Sequence, residues 1–490
     1  MRLRALLVVG VLVLAACSGG GSTATTPDHS NTANRASSSL KWRDCADGEC
    51  ATLRVPLDPA APTGKKIDLA LARVQAGKPD ERIGSLVINP GGPGAPGTDF
   101  VSQVADGLPA AITDRFDIVG WDPRGTGASA PVDCGDKLDY LFDVDTAPDD
   151  AAEQAALAAA SKRFADACRQ RSGELLRHVS SLDTVRDLDR IRQVLGDDKL
   201  TYAGFSYGTY LGALYAQNYP KKVRALVLDG AVDPAVPLDE VSVQQAKGFE
   251  DSFDAFLKDC ARRVSCEFHN DGNPRAAFDA LRARVERSPI EGDHGRKLGA
   301  TQLDIAVAAP LYSGADAYRT LAAALSDAED GDPTKTLDLF DEYVRRSPDG
   351  TYAPEWPAFL AISCADGPDL DPAAFEALQA SAARAAPYFG ASNLGLGLSC
   401  SYWPYPPVNA TATAISAVGA PPIVVVGTTG DPATPIAWAN GLARELDARL
   451  ITVEGTTHTS SLDGNPCLDA ALTRYFVRLL LAPAGLHCQA

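Results

Sequence analysis

The chain has 490 residues, enough for more than one hydrophobic core, and its 45% hydrophobic and 22% charged residues suit a folded globular protein rather than a disordered one. Its formal net charge is −18. A surface this acidic repels phosphate backbones and anionic headgroups, which excludes nucleic-acid binding.

The N-terminus reads "MRLRALLVVGVLVLAAC": Arg2 and Arg4, then an apolar run from Ala5 to Ala16 that ends at Cys17. A basic start followed by an apolar run too short to span a bilayer is the pattern of an export signal. Leu14-Ala15-Ala16-Cys17 resembles a bacterial lipobox, which implies cleavage before Cys17 and acylation there; the bland alternative is a secretory signal with an incidental cysteine. Residues 18–40 are rich in Ser, Thr, Gly and Asn and carry no apolar period. Such a segment cannot bury enough surface to offset its ordering entropy. The expectation is a lipoprotein signal peptide at 1–16 and a disordered tether at 17–40, on an exported protein held by lipid at the outer face of the cell membrane. No later run is long and apolar enough to span a bilayer.

Of 11 cysteines, setting Cys17 aside leaves an even number, as an oxidising compartment favours. Spacing does not fix connectivity. Pairing near neighbours gives Cys45–Cys50, Cys134–Cys168, Cys260–Cys266, Cys364–Cys400 and Cys467–Cys488. No C-x-x-C pair or histidine cluster is present, so neither a metal nor any other cofactor is expected.

From residue 41 the pattern alternates strands with helices, the signature of a mainly parallel sheet covered on both faces. "IGSLVIN" (83–89) is a β-branched apolar run ending in "PGGPG", and "FDIVGWD" (116–122) ends in "PRGTG". "SLDTVRDLDRIRQVLG" has helical period, with Val185, Leu188, Ile191 and Leu195 on one face and Gly196 as a stop. "KLTYAG" runs into "GFSYGTYLG" (204–212). "GTYLGALYAQNYP" reads as a helix stopped at Pro220, and "VRALVLDG" (223–230) as the next strand. Residues 236–416 are then mostly helical in period, too long for a simple connection. Strands resume at "PPIVVVGTTGD" (421–431) and "RLITVEGTTHTS" (449–460). The expected organisation is a sheet domain in two parts, 41–235 and 417–490, with a helical cap, 236–416, inserted between its late strands.

Ser206 sits between Gly204 and Gly208. A serine hydroxyl becomes a nucleophile when a histidine takes its proton and an acid orients that imidazole. Of six histidines, only His458 follows a late strand; Asp431 ends the strand before it. Ser206, Asp431 and His458 thus all follow strands, and in a parallel sheet those strand ends share one edge. The glycine-rich "NPGGPG" (89–94) lets backbone N–H groups approach a reacting oxygen. The N–H groups of Gly92 and Tyr207 are expected to form an oxyanion hole.

With "NPGGPG", "GWDPRGTGAS", "GFSYGTYLG", "AISCADG", "GTTGDPATP" and "GTTHTS" in hand, the chain from about Trp42 to Cys488 resembles the α/β-hydrolase serine peptidases, of the exported actinobacterial type related to tripeptidyl aminopeptidases and proline iminopeptidases. The resemblance implies an α/β-hydrolase fold, a triad of Ser206, Asp431 and His458, and release of short peptides from free N-termini. Pro90 departs from a related H-G-G-P-G pattern, where histidine stands. An enzyme of this kind needs a carboxylate to pair with the substrate's α-ammonium. Asp366 in "AISCADG" is the candidate, against a plain loop aspartate before Gly367-Pro368. "YWPYPP" (402–407) either lines the pocket or packs as a return segment. Thr434 either bonds near Asp431 or caps the helix from Pro435, the cap being the preferred reading. Two further functions stay open: a carboxylesterase or lipase using the same triad, and a non-enzymatic surface lipoprotein that binds peptides.

Overall fold

The computed structural model describes residues 40–46, 48–408, 413–461 and 464–490. The signal peptide, Cys17 and the tether up to residue 39 lie outside the described residues. The chain opens with three strands, β1 (Arg43–Cys45), β2 (Gly48–Pro56) and β3 (Lys66–Val74), paired antiparallel in sequence. β4 (Gly84–Asn89), α1 (Phe100–Gly107), α2 (Ala110–Thr113) and β5 (Phe116–Trp121) follow. After β5 come α3 (Asp139–Phe142), α4 (Ala151–Ser172) and α5 (Ser181–Val194), then β6 (Leu200–Phe205), α6 (Tyr207–Asn218) and β7 (Val223–Asp229).

A long helical stretch comes next. It contains α7 (Leu238–Arg262), α8 (Pro274–Arg287), the short ribbon of β8 (Ile290–Glu291) and β9 (Lys297–Leu298), α9 (Ala300–Leu311), α10 (Tyr318–Asp330), α11 (Thr334–Val344), α12 (Glu355–Asp366), α13 (Pro372–Ala385) and α14 (Gly390–Gly395). The sheet resumes with β10 (Val424–Thr428), α15 (Ile436–Glu445), β11 (Arg449–Glu454), α16 (Pro466–Arg478) and β12 (Leu486–Gln489). The ten strands of the main sheet run in the order β1-β2-β3-β5-β4-β6-β7-β10-β11-β12. From β5 to β12 every pairing is parallel.

The near-continuous apolar strands make sense because both sheet faces are covered. Alternate residues still part company, as a period of two requires. Val87, Tyr202, Leu226 and Val425 pack with residues of α5, α6 and α15, whereas Leu86, Ala203, Val227 and Val424 pack with those of α1, α2 and α16. α5 shows how sequence sets an element: the Ser180 hydroxyl accepts from the Asp183 N–H, Val185, Leu188 and Ile191 are buried, and Gly196 takes the left-handed turn just past its end.

The helical layer draws on two stretches. Besides the helices between β7 and β10, residues of the β5–β6 connection such as Leu138, Phe142 and Phe164 share one core with Phe340, Leu360 and Ala365. Disulfides join Cys45–Cys50, Cys134–Cys168, Cys260–Cys266, Cys364–Cys400 and Cys467–Cys488. Among the described residues no helix is long and apolar enough to cross a membrane.

Candidate active site

Ser206 is the single residue between β6 and α6, with φ 54° and ψ −126°. A left-handed φ on a non-glycine residue costs on the order of 1–3 kcal/mol and persists only where its surroundings impose it. Here the Ser206 N–H donates to the Asp229 carbonyl (2.9 Å), and the Thr209 hydroxyl donates to the Ser206 carbonyl (2.6 Å). The flanking glycines are steric necessities. A Cβ on Gly204 would lie 2.3 Å from the Gly208 carbonyl oxygen, and one on Gly208 would lie 2.8 Å from that of Asn89.

Asp431 and His458 follow β10 and β11, which sit beside β7 on the same sheet edge. His458 Nδ1 lies 2.9 and 3.0 Å from the two Asp431 carboxylate oxygens. The same carboxylate accepts from the N–H groups of Ala433 and Thr434 (2.9 Å each) and from the Thr434 hydroxyl (2.8 Å). With Nδ1–H donating to Asp431, the lone pair is on Nε2. That atom is buried and has no hydrogen-bond partner among the described residues. Serine and imidazole meet the same short segment: Ser206 N–H binds the Asp229 carbonyl, and a Cβ on Gly230 would be 3.1 Å from His458 Cε1.

The loop carrying His458 is anchored from two sides. Asp229 Oδ2 accepts from the N–H groups of Ser460 and Ser461 and from the Ser461 hydroxyl (2.8, 2.6 and 2.6 Å). Burial holds the Asp229 carboxyl above its usual value despite these bonds. From the helical layer, the Tyr312 carbonyl accepts the His458 N–H (2.8 Å), and the Tyr312 ring meets the imidazole edge-on at 5.3 Å.

Residues 89–94 lie directly on the serine turn. A Cβ on Gly91 would stand 2.4 Å from the Phe205 carbonyl oxygen and 3.1 Å from the Tyr207 nitrogen, and its φ of 97° suits glycine alone. The Gly91 N–H is taken by Asn89 Oδ1 (3.1 Å). Among the described residues no acceptor takes the N–H of Gly92 or Tyr207. Chemically, such an arrangement could serve as a nucleophile, a base with its orienting acid, and two donors for an oxyanion, which are the roles expected from the sequence.

Beside the serine turn is a cavity of about 390 Å³, its walls including Pro93, Tyr207, Tyr312, Trp356 and Asp366. Asp366 is the last residue of α12, not a loop aspartate. Its carboxylate accepts from the Ser181 N–H (3.0 Å) and hydroxyl (2.5 Å), and the Ser181 oxygen lies 2.5 Å from the Tyr207 hydroxyl. Burial, reinforced by the Asp366 charge, pushes the Tyr207 phenol far up.

One reading changes and one open alternative closes. Thr434 does not cap α15, whose N-cap is Pro435 without a side-chain bond; its hydroxyl donates to Asp431 Oδ2 (2.8 Å), a buried carboxylate that takes the hydrogen bond. Trp403 and Tyr405 of "YWPYPP" pack against the helical core, with Arg177 4.3 Å over the Tyr405 ring, and none of residues 402–407 lines the cavity. Ser181, Asp229 and Tyr312 escaped sequence reading, since nothing local marks a residue whose partner is far along the chain.

A strand, sharp serine turn and helix, with Asp431 and His458 on loops that follow later strands, is the arrangement of a hydrolase of the serine class. Residues 84–271 match the family described as alpha/beta hydrolase fold, and residues 386–488 the one described as TAP-like protein. Serine protease Hip1 of Mycobacterium tuberculosis is 37% identical over 465 residues, covering 90% of this chain and 87% of that protein. Carboxylesterase B of the same organism is 36% identical over 478 residues, covering 91% and 89%. Tripeptidyl aminopeptidase of Streptomyces lividans is 30% identical over 470 residues, covering 91% and 86%. The chain belongs to the α/β-hydrolase family and is a serine hydrolase.

Proposed function

We propose that the chain is a serine exopeptidase that releases short peptides, tripeptides foremost, from free N-termini. The observation that carries this reading is the Asp431–His458 pair, its Nε2 unpartnered among the described residues, with a cavity beside the serine turn whose wall includes a carboxylate. Ser206 Oγ attacks the scissile carbonyl carbon while its proton passes to His458 Nε2. The N–H groups of Gly92 and Tyr207 receive the developing oxyanion, and Asp431 holds the imidazolium. The C–N bond breaks as His458 gives its proton to the leaving amine. Water then attacks the acyl-enzyme, His458 takes its proton, and the acid is released as Ser206 regains a proton.

The cavity holds the released segment, and Asp366 at its wall meets the α-ammonium, sharing its carboxylate with Ser181. The first relatives include both a protease and a carboxylesterase, so amide and ester substrates must be compared directly. The enzyme sits at the cell surface on a lipid-modified Cys17, which mass spectrometry of the mature N-terminus checks. The deciding experiment pairs a free-amine tripeptide anilide with its N-acetylated form and a short-chain ester, with Ser206→Ala as control. Turnover of the free-amine peptide but not of its N-acetylated form, abolished in the variant, supports the reading whether or not the ester is also cleaved; turnover of the ester alone overturns it in favour of an esterase.

A further inference from the structure

α12 touches the surroundings of both proposed oxyanion donors, one at each of its ends. At its first turn it lies against the glycine loop: a Cβ on Gly94 would stand 2.7 Å from the Glu355 carbonyl oxygen and 2.8 Å from the Phe359 nitrogen. At its last residue, the Ser181 hydroxyl donates to Asp366 Oδ2. That hydroxyl has one proton, so in the 2.5 Å contact between Ser181 Oγ and the Tyr207 hydroxyl, the phenol must be the donor. A directed chain therefore runs Tyr207 O–H to Ser181 Oγ, and Ser181 O–H to Asp366.

Each link is fixed at a helix terminus. Tyr207 is the first residue of α6, Ser181 the first of α5, and Asp366 the last of α12. Asp366 also accepts the Ser181 backbone N–H, one of the donors that a helix start leaves open. The Cys364–Cys400 bridge ties the same end of α12 to the turn that follows α14. Three helices from both layers of the protein thus meet at the Ser181 hydroxyl, which lies against the phenol of Tyr207, the residue whose N–H is the proposed oxyanion donor.

We infer that Asp366 is a positioning residue: through Ser181 and the Tyr207 phenol it holds the Tyr207 N–H in line with the oxyanion, so that α12 sets the geometry of the oxyanion hole. The inference rests on the reading of Tyr207 as an oxyanion donor given above. It goes beyond substrate binding, because the chain acts on the chemical step whatever the substrate's N-terminus. An oxyanion donor contributes only when aimed at the oxygen of the transition state, and small misplacements are costly. Loosening the chain should therefore lower kcat and leave KM nearly unchanged. An acid serving the α-ammonium alone would instead raise KM for free-amine peptides and leave an ester untouched.

The test uses the full chain with Tyr207→Phe, Ser181→Ala, the double variant, Ser181→Thr and Asp366→Asn. Substrates are a free-amine tripeptide anilide and a short-chain nitrophenyl ester that has no amine. Tyr207→Phe and Ser181→Ala each delete one oxygen, and thermal melts check that both fold. The expected result is a fall in kcat of about tenfold or more on both substrates, with KM within about twofold. The double variant should be no worse than the worse single one, as links of one chain are not additive. Ser181→Thr, which keeps the bridging hydroxyl, should restore most of the loss. Folded Tyr207→Phe and Ser181→Ala enzymes with wild-type kcat on the ester would overturn the inference, as would an Asp366→Asn effect confined to KM of the peptide. Activity surviving in Ser206→Ala would strike at the nucleophile assignment instead, a separate failure.

Discussion

Thr434→Val replaces a hydroxyl by a methyl of the same shape, and it isolates one bond to the acid. In the wild type the Thr434 hydroxyl donates to Asp431 Oδ2 at 2.8 Å, on a side chain that is 0% exposed. Water cannot replace that donor, so Oδ2 is left facing His458 Nδ1 alone. A hydrogen bond to a charged group contributes about 1.5–3 kcal/mol. At about 1.4 kcal/mol per decade, that is a ceiling of roughly 10- to 150-fold in rate if the whole effect falls on the transition state. A share does fall there, because the imidazolium forms only during reaction and needs the carboxylate held in plane. The remainder appears as lost stability. Thr434 does not line the cavity, so substrate affinity should not change. Steady-state kinetics on a tripeptide anilide should show kcat reduced by about tenfold, KM unchanged, and Thr434→Ser within about threefold of wild type. Wild-type kcat in Thr434→Val, or equal damage in Thr434→Ser, would refute the reasoning.

Three other outcomes follow from the geometry. Burial raises the Asp229 carboxyl, so the folded chain keeps a proton there that the unfolded chain has released; the stability this contributes is full below about pH 4 and is lost as pH rises through the folded value. Asp229→Asn cannot titrate, so its melting temperature relative to wild type should improve as pH rises above about 4, checked by thermal melts across the pH range. Gly204→Ala puts a Cβ 2.3 Å from a backbone oxygen and should yield an enzyme without turnover and with a lowered melting temperature. Removing the Cys364–Cys400 bridge, which closes a separation of 36 residues, should cost about 3–4 kcal/mol by the chain-entropy argument, visible as a shifted denaturation midpoint for the double serine variant.

What the sequence made legible was whatever is local and periodic. The buried parallel strands β4, β5, β6, β7 and β10 stand out as apolar runs cut off by glycine and proline, and the candidate site residues are legible because they follow such runs in the sequence. α5 and α8 show one apolar face and are readable for that reason. α9 and α12 were not legible: "ATQLDIAVAAPL" and "EWPAFLAISCAD" are apolar nearly all round, since both are packed on several sides, and no period survives. β12 at the C-terminus is four residues long and is defined by its partner β11 alone. The links from Asp366 to Ser181 and from Tyr312 to His458 join residues far apart in the chain, and only the packing of the helical layer on the sheet brings them together.

The sheet order also sets when the enzyme becomes dangerous. The serine turn needs only β6 and β7 beside it, yet the proposed acid and base follow β10 and β11, near the end of the chain. Between them comes the whole helical stretch, including Tyr312, whose carbonyl must be in place to receive the His458 N–H. With the proposed roles, hydrolytic power arrives late in folding, when β10 and β11 add to the edge left by β7. A chain whose first half alone has folded lacks the proposed base, and so the means to cut its neighbours.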